Sequence, residues 1–298
     1  MRILVTGSRG KVGRAAVTHL MEHGHDVRAS DLARPTYERR EDGVAPYVQA
    51  DLTDAGAAYA VVRDCDAVVH AAAIPEPSQN VPHEVFSNNL MSLFNVIEAC
   101  VRLGVPRLVN ISSETVPGMF FAERPVTPAY FPIDEAHPVA PQDPYALAKY
   151  FGEQLCTAAT QRSDLRCITL RPTWVQDETS YARNIGPQVR AAKGGVPEDT
   201  PNGWSYIDVY DLAGAIRLAA ESDLRGHEIF YIASPDAPGI ADTAQALRVQ
   251  YPDVEIRPLP RPDAAGTSTA RAERVLGWQP TRSWRDYVDD DGRPRASR

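Results

Sequence analysis

Short apolar runs recur along the chain, and the intervals between them carry helical periodicity. "RILVTG" (2–7) is a continuous apolar run closed by a glycine, as in a strand buried on both faces, and a helical pattern follows it from about Val12 to His23. "DVRASD" (26–31), "APYVQADL" (45–52), "DAVVHAAA" (66–73), "RLVNISS" (107–113), "RCITLRP" (166–172) and "EIFYIAS" (228–234) repeat the strand signature, with a helix near 84–103 ahead of the fifth. Strand, helix, strand in this rhythm predicts an α/β fold: a doubly wound parallel sheet with helices on both faces.

Two segments break the rhythm. Residues 117–143 hold six prolines and little periodicity, so they read as a long loop, and 175–205 reads as irregular as well. Loops of such length in a compact domain are usually functional or disordered. The expected organisation is a main body over 1–172 to which 206–234 returns. A smaller lobe comes from 173–205 and 235–288, and a solvated, mobile tail from 289–298.

Composition narrows the picture mainly by exclusion. With 298 residues, 43% hydrophobic and 23% charged, the chain is an ordinary globular protein long enough for a large domain plus a lobe. The formal net charge of −8 argues against a nucleic-acid partner, whose phosphates need a basic face. No apolar run is long enough for a membrane span. "MRILVTGSRG" enters a motif directly, with no apolar signal segment. Cys65, Cys100, Cys156 and Cys167 are widely spaced and lack a C-x-x-C, which points to free structural thiols in a reducing cytoplasm. The seven histidines do not cluster with cysteines at ligand spacing, so no metal is expected.

Candidate chemistry begins in "TGSRGKVG", where Gly7, Gly10 and Gly13 lie between a strand and a helix. Small residues there let the backbone approach a pyrophosphate at a helix N-terminus. Asp31 closes the second strand, 18 residues past Gly13, where a carboxylate suits an adenosine ribose and repels a 2′-phosphate. NAD is favoured over NADP on that ground, with Arg9 and Arg34 as the two groups able to pair with the extra phosphate. Asp51-Leu52 falls near the adenine, unless Asp51 is only a helix cap. In "DPYALAKYFGEQL" (143–155), Tyr145 and Lys149 are four apart and share a helical face. Lowering a phenol from about 10 to about 7 takes roughly 4 kcal/mol, which one cation about 4 Å away supplies at an effective dielectric near 20. Strand five ends in Ser112-Ser113, a hydroxyl at the same crevice. Tyr145 can then take a proton from an alcohol as hydride leaves for NAD.

These residues resemble those of the extended short-chain dehydrogenases/reductases, in the NAD-dependent sugar epimerase/dehydratase group, with parts similar to uronate dehydrogenases. The matches are "TGSRGKVG", Asp31, "ADL" (50–52), "HAAA" (70–73), "NNL" (88–90), "ISSETVPG" (111–118), "PYALAK" (144–149), "YIDVYDLA" (206–213) and "LGW" (276–278). The resemblance implies an NAD-binding Rossmann domain and a C-terminal substrate lobe. It makes Tyr145 the base, Lys149 the group that lowers its pKa and holds the nicotinamide ribose, and Ser113 a hydrogen-bond partner of the reacting hydroxyl. Arg9, Val12, Asp51, Leu52, Ala71, Ala72, Ala73, Asn89 and Val175 join the cofactor side. Pro75, Glu114, Thr115, Trp174, Arg183 and Trp204 join the substrate side. A homodimer is also suggested.

The chain departs from the family pattern at the diphosphate. Nucleotide-sugar relatives carry an arginine where this chain has Trp204 and an asparagine where it has Trp174, and indoles replace a bidentate guanidinium poorly. Arg183, Arg190 and Arg261 remain as candidates for an anionic group. Pro117 stands where many relatives have tyrosine. Phe120, Phe121, Tyr130 and Phe131 make the long insert either a lid or a segment pinned to the body. Pro144 is inert and Asp143 reads as a helix cap, which disfavours a dehydratase. Two reactions on a sugar stay open, a 4-epimerase and a dehydrogenase of a free sugar or uronate. The reading outside enzymology is an NAD-binding regulatory protein.

Overall fold

The structure is a computed structural model and describes residues 1–33, 45–195 and 200–295. The first half runs β1 (Arg2–Thr6), α1 (Lys11–Glu22), β2 (Asp26–Asp31), β3 (Tyr47–Gln49), α2 (Ala55–Val62), β4 (Ala67–His70), α3 (Pro82–Leu103) and β5 (Arg107–Ile111). It continues with β6 (Tyr130–Phe131), α4 (Pro144–Arg162), β7 (Arg166–Pro172), β8 (Trp174–Gln176), α5 (Glu178–Lys193) and β9 (Tyr206–Asp208). α6 (Val209–Glu221), β10 (His227–Ile232), α7 (Thr243–Gln250), β11 (Glu255–Ile256) and α8 (Ala270–Leu276) complete the order.

Seven strands form one parallel sheet in the order β10-β7-β5-β4-β1-β2-β3. The chain winds outward in both directions from β1, so the order reverses between β1 and β4 and opens a crevice at the strands' C-terminal ends. Side chains of β1 alternate between two cores. Ile3 and Val5 pack with Leu20, Leu212 and Ile216 on one face, and Leu4 packs with Val68, Val96, Ile97 and Leu108 on the other. The sheet is thus covered twice, as its apolar strands require. The four cysteines are free and buried, and no helix among the described residues is long and apolar enough to cross a membrane.

The remaining strands pair two by two, β8 with β9 and β6 with β11. They frame a lobe core of Phe131, Trp204, Tyr231 and Leu247, with Tyr181, Ile185, Val189, Tyr206 and Trp284 beside it. The segment expected to be irregular contains α5. Its apolar Tyr181, Ile185 and Val189 recur every fourth residue and are buried, and Asp177 with Ser180 closes a capping box at its start. Gly186 and Pro187 in mid-helix hide that pattern in the sequence. Residues 289–295, expected to be a mobile tail, fold back instead. Gly292 sits against Gly186, its carbonyl accepts from Arg190 Nη1 at 2.7 Å, and Val288 bridges Pro294.

Candidate active site

The turn after β1 shows why the glycines are there. Gly7 has φ +65°, and a Cβ on it would lie 2.6 Å from the Ala71 carbonyl carbon, while one on Gly13 would run into the Gly7 carbonyl. The loop therefore lies flat against the end of β4 and starts α1 at Gly10, where no side chain caps the first amides. Those amides, with the helix dipole, suit an anion.

A cavity of about 1190 Å³ runs from this loop along the strand ends to the lobe. It exceeds the roughly 300–1,000 Å³ of an ordinary single-ligand pocket, as a site for a cofactor plus a substrate must. On its wall stand the predicted Gly7, Arg9, Gly10, Val12 and Gly13, then Asp31, Asp51, Leu52, the alanines Ala71, Ala72 and Ala73, and Val175. Asp31 accepts from the Arg9 amide at 2.9 Å and the Ala33 amide at 3.1 Å, which fixes its carboxylate at the end of β2. The Arg9 guanidinium lies over the Tyr47 ring, 4.6 Å from its centroid. Arg34 lies outside the described residues. Asp51 bonds Thr53, and the cap of α2 is Asp54.

Asn89 is set off the wall. Its amide closes on the backbone of Ile74, accepting at 2.7 Å and donating at 3.0 Å, so it braces the turn that carries Pro75. Lys11, which sequence reasoning passed over, lines the cavity. Its ammonium reaches the Val175 carbonyl at 3.1 Å and the Asp177 carboxylate at 3.6 Å, tying the glycine loop to the lobe.

α4 brings the reactive group together. Asp143 caps the helix by accepting from the amides of Tyr145 and Ala146, both at 2.9 Å. Tyr145 and Lys149 then share the face turned to Ser113, whose hydroxyl lies on the same cavity wall and accepts from the Thr115 amide at 3.1 Å. The Lys149 ammonium donates to the Ile111 carbonyl at 2.6 Å and stands 5.6 Å from the Tyr145 ring centroid. The protein's own groups do not lower this phenol, contrary to the sequence expectation. Burial pushes it up to about 12 against the pull of the Ser113 hydroxyl, with Asp143 and Glu114 adding to the rise. Burial also brings Lys149 down to about 8, against the opposing charge of Glu153.

Pro75, Ser113, Glu114, Thr115, Trp174 and Trp204, the residues expected on the substrate side, are all on the wall. Glu114 accepts from Asn202 Nδ2 at 2.6 Å, yet burial outweighs that bond and the pull of the Trp174 amide and raises its carboxyl to about 8. Trp174 is 43% exposed, while Trp204 is 2% exposed and belongs to both the cavity wall and the lobe core. Arg183 is exposed on α5, bonded to its neighbour Asn184 and off the wall. Arg190 holds Gly292, and Arg261 pairs with Asp263 at 3.0 Å. The long insert divides its work: Phe120 and Phe121 line the cavity, and Tyr130 and Phe131 are buried in the lobe. Gln188, Thr200, Asn202 and Ser205 complete this wall without having been foreseen, because they come from the segment that carried no visible period.

Comparison with known proteins places this geometry. The profile of the NAD dependent epimerase/dehydratase family matches residues 3–233. A UDP-glucose 4-epimerase from Lactobacillus helveticus is 27% identical over 323 residues, covering 97% of this chain and 94% of its own. An L-arabinose 1-dehydrogenase (NAD(P)(+)) from Haloferax volcanii is 32% identical over 201 residues, 64% of this chain and 76% of its own. Among solved structures, MoeE5 in complex with UDP-glucose and NAD superposes with a TM-score of 0.68 at 26% identity, covering 96% of this chain and 95% of that one. With its parallel sheet, glycine loop and serine–tyrosine–lysine group, the chain belongs to the NAD dependent epimerase/dehydratase family and is an NAD-dependent sugar oxidoreductase of the extended short-chain dehydrogenase/reductase type.

Proposed function

We propose that the protein oxidises a secondary alcohol of its sugar with Tyr145 as the proton acceptor. One observation supports this most: Ser113, Tyr145 and Lys149 converge on the wall that also carries the glycine loop and Asp31. NAD supplies the hydride acceptor and, as the oxidised cofactor, a positively charged ring. Ser113 holds the reacting hydroxyl beside the Tyr145 oxygen. As the carbon's hydrogen leaves for NAD with both electrons of the C–H bond, the hydroxyl proton passes to Tyr145 and a carbonyl remains. A phenol at about 12 is a poor proton acceptor near neutral pH. The charge that draws it down on this reading is the positive ring of the oxidised cofactor, added beside the Lys149 ammonium, since one unit charge at about 4 Å is worth up to about 4 kcal/mol. Asp31 and the amides of the glycine loop hold the adenosine and pyrophosphate, with the preference for NAD set by Asp31.

Two further features belong to this reading. Met91, Phe94 and Phe151 are exposed on α3 and α4, and the Phe151 ring meets Phe86 edge-on at 6.2 Å, which supports a homodimer through these helices. The buried free thiols support a reducing cytoplasm. Tyr145→Phe tests the reading. Turnover should fall by about a thousandfold or more while NAD affinity stays within about threefold, and a variant that still turns over would refute the base.

A further inference from the structure

We infer, on the hydride-transfer reading above, that the substrate is an uncharged sugar oxidised outright to a ketone or lactone, and neither a uronate nor a nucleotide sugar. The charge on the cavity wall carries this. Among the described residues its basic side chains are Arg9, Lys11 and Lys149, and each is engaged on the cofactor side. Arg9 lies over Tyr47 beside Asp31, Lys11 is neutralised by Asp177, and Lys149 donates to Ile111.

The substrate end has no cation among the described residues, and it holds the acids Glu76 and Glu114. Four arginines of the lobe are spent elsewhere. Arg190 holds Gly292, Arg261 and Arg285 pair with Asp236 and Asp263, and Arg282 faces Asp208 at 3.8 Å. In sequence, Val196, Pro197, Glu198 and Asp199 add no basic group. A carboxylate or diphosphate moved into such a wall would lose its water and meet no countercharge.

What the wall does offer suits hydroxyls. Gln188 and Asn202 bring amides, Thr115, Thr200 and Ser205 bring hydroxyls, and the Thr115 oxygen is buried without a partner inside the protein. Trp174 presents a partly exposed indole on which the apolar face of a sugar ring can lie. Glu114 accepts from Asn202, and its raised carboxyl remains a neutral donor near pH 7. The reaction class follows. To be epimerised, an oxidised sugar must turn over while something outside the ring holds it, and this wall has no grip for a charged anchor. Here the sugar carbon gives hydride to NAD, its hydroxyl proton goes to Tyr145, and the reduced cofactor and the carbonyl product leave.

The test incubates the protein with NAD and three matched panels: neutral pentoses and hexoses, the corresponding uronates, and UDP-hexoses. Nicotinamide absorbance and sugar products are followed together. Separately, calorimetry measures UDP binding to the NAD-loaded Tyr145→Phe protein. Net reduced cofactor should accumulate with a neutral sugar, at a kcat/KM about a hundredfold or more above any uronate or UDP-hexose, and UDP should bind no tighter than about 1 mM. Preferred turnover of a uronate or UDP-hexose, epimerised sugar without net reduction, or tighter UDP binding would each overturn the inference and leave the hydride-transfer reading standing. Silence on all three panels would instead bring down the hydride-transfer reading, and the inference with it.

Discussion

Glu153 accepts from both Nε and Nη2 of Arg171, at 2.9 and 2.7 Å, in an ion pair whose side chains are 1% and 4% exposed. Ser112 donates to the same carboxylate at 2.7 Å. The pair therefore braces the end of β5, where Ser113 stands, against α4 one turn beyond Lys149. Although burial pulls Arg171 down, the Glu153 bonds overcome it and hold the guanidinium above its ordinary value. Glu153→Ala leaves that cation buried without a partner and should destabilise the protein by about 3–5 kcal/mol in denaturant unfolding. Glu153→Ala combined with Arg171→Met should lose clearly less than the two single changes together, because the stranded charge is gone. A loss below about 1 kcal/mol in the single variant would mean the pair is hydrated in solution.

Asp31 is fixed by two backbone amides at the glycine-loop end of the cavity. Asp31→Ala removes both the acceptor and the negative charge that would repel a 2′-phosphate, while Arg9 stays on Tyr47 beside it. NAD should bind roughly tenfold more weakly, and the gap between NAD and NADP should close by more than that. Titration with both dinucleotides checks this. An unchanged preference would make Asp31 only a brace for the glycine loop.

The sequence was most informative where the candidate chemistry is local. The glycine loop, Asp31, the serine pair and the tyrosine–lysine spacing each depend on a few consecutive residues, so their places on the wall were legible from them. Long-range closure was not. Asn89 carries the right residue type in the right segment, yet its amide is consumed by the Ile74 backbone, a contact no local pattern records. Arg183 lies on a helix whose buried stripe is Tyr181, Ile185 and Val189, and once that stripe is known the arginine must face outward. The phenol's upward shift was missed for a similar reason. A spacing shows that a cation is near but not how much water the walls exclude.

Lys11 connects the cofactor loop to α5 through Val175, Ser180 and Asp177, contacts that span more than 160 residues of chain. These groups are partly exposed, so the link is modest, on the order of 0.5–1 kcal/mol. Lys11→Met should release NADH about two- to fivefold faster in stopped-flow fluorescence, with Tm nearly unchanged. An unaltered off-rate would show that the lobe does not retain the cofactor.

Glu114 gives a signature in stability against pH. Burial raises its folded pKa to about 8 from an ordinary value near 4.5. Between those values the folded protein holds a proton that the unfolded chain has released, so folding is progressively disfavoured as pH rises from about 4.5 to about 8. The contribution is fully present below the lower value and lost by the upper one, amounting to roughly 3–5 kcal/mol for a shift of this size. Glu114→Gln keeps an acceptor for Asn202 and removes the titration. Relative to the variant, the wild-type protein should therefore lose stability steadily between pH 5 and pH 8, measured as the difference of two unfolding series. Taking the difference removes the opposite slope from His70, which burial pushes down to about 3, and from His227, which it pushes down to about 4. Parallel curves for the two proteins across that range would place the Glu114 carboxylate in water and remove the neutral donor from the substrate wall.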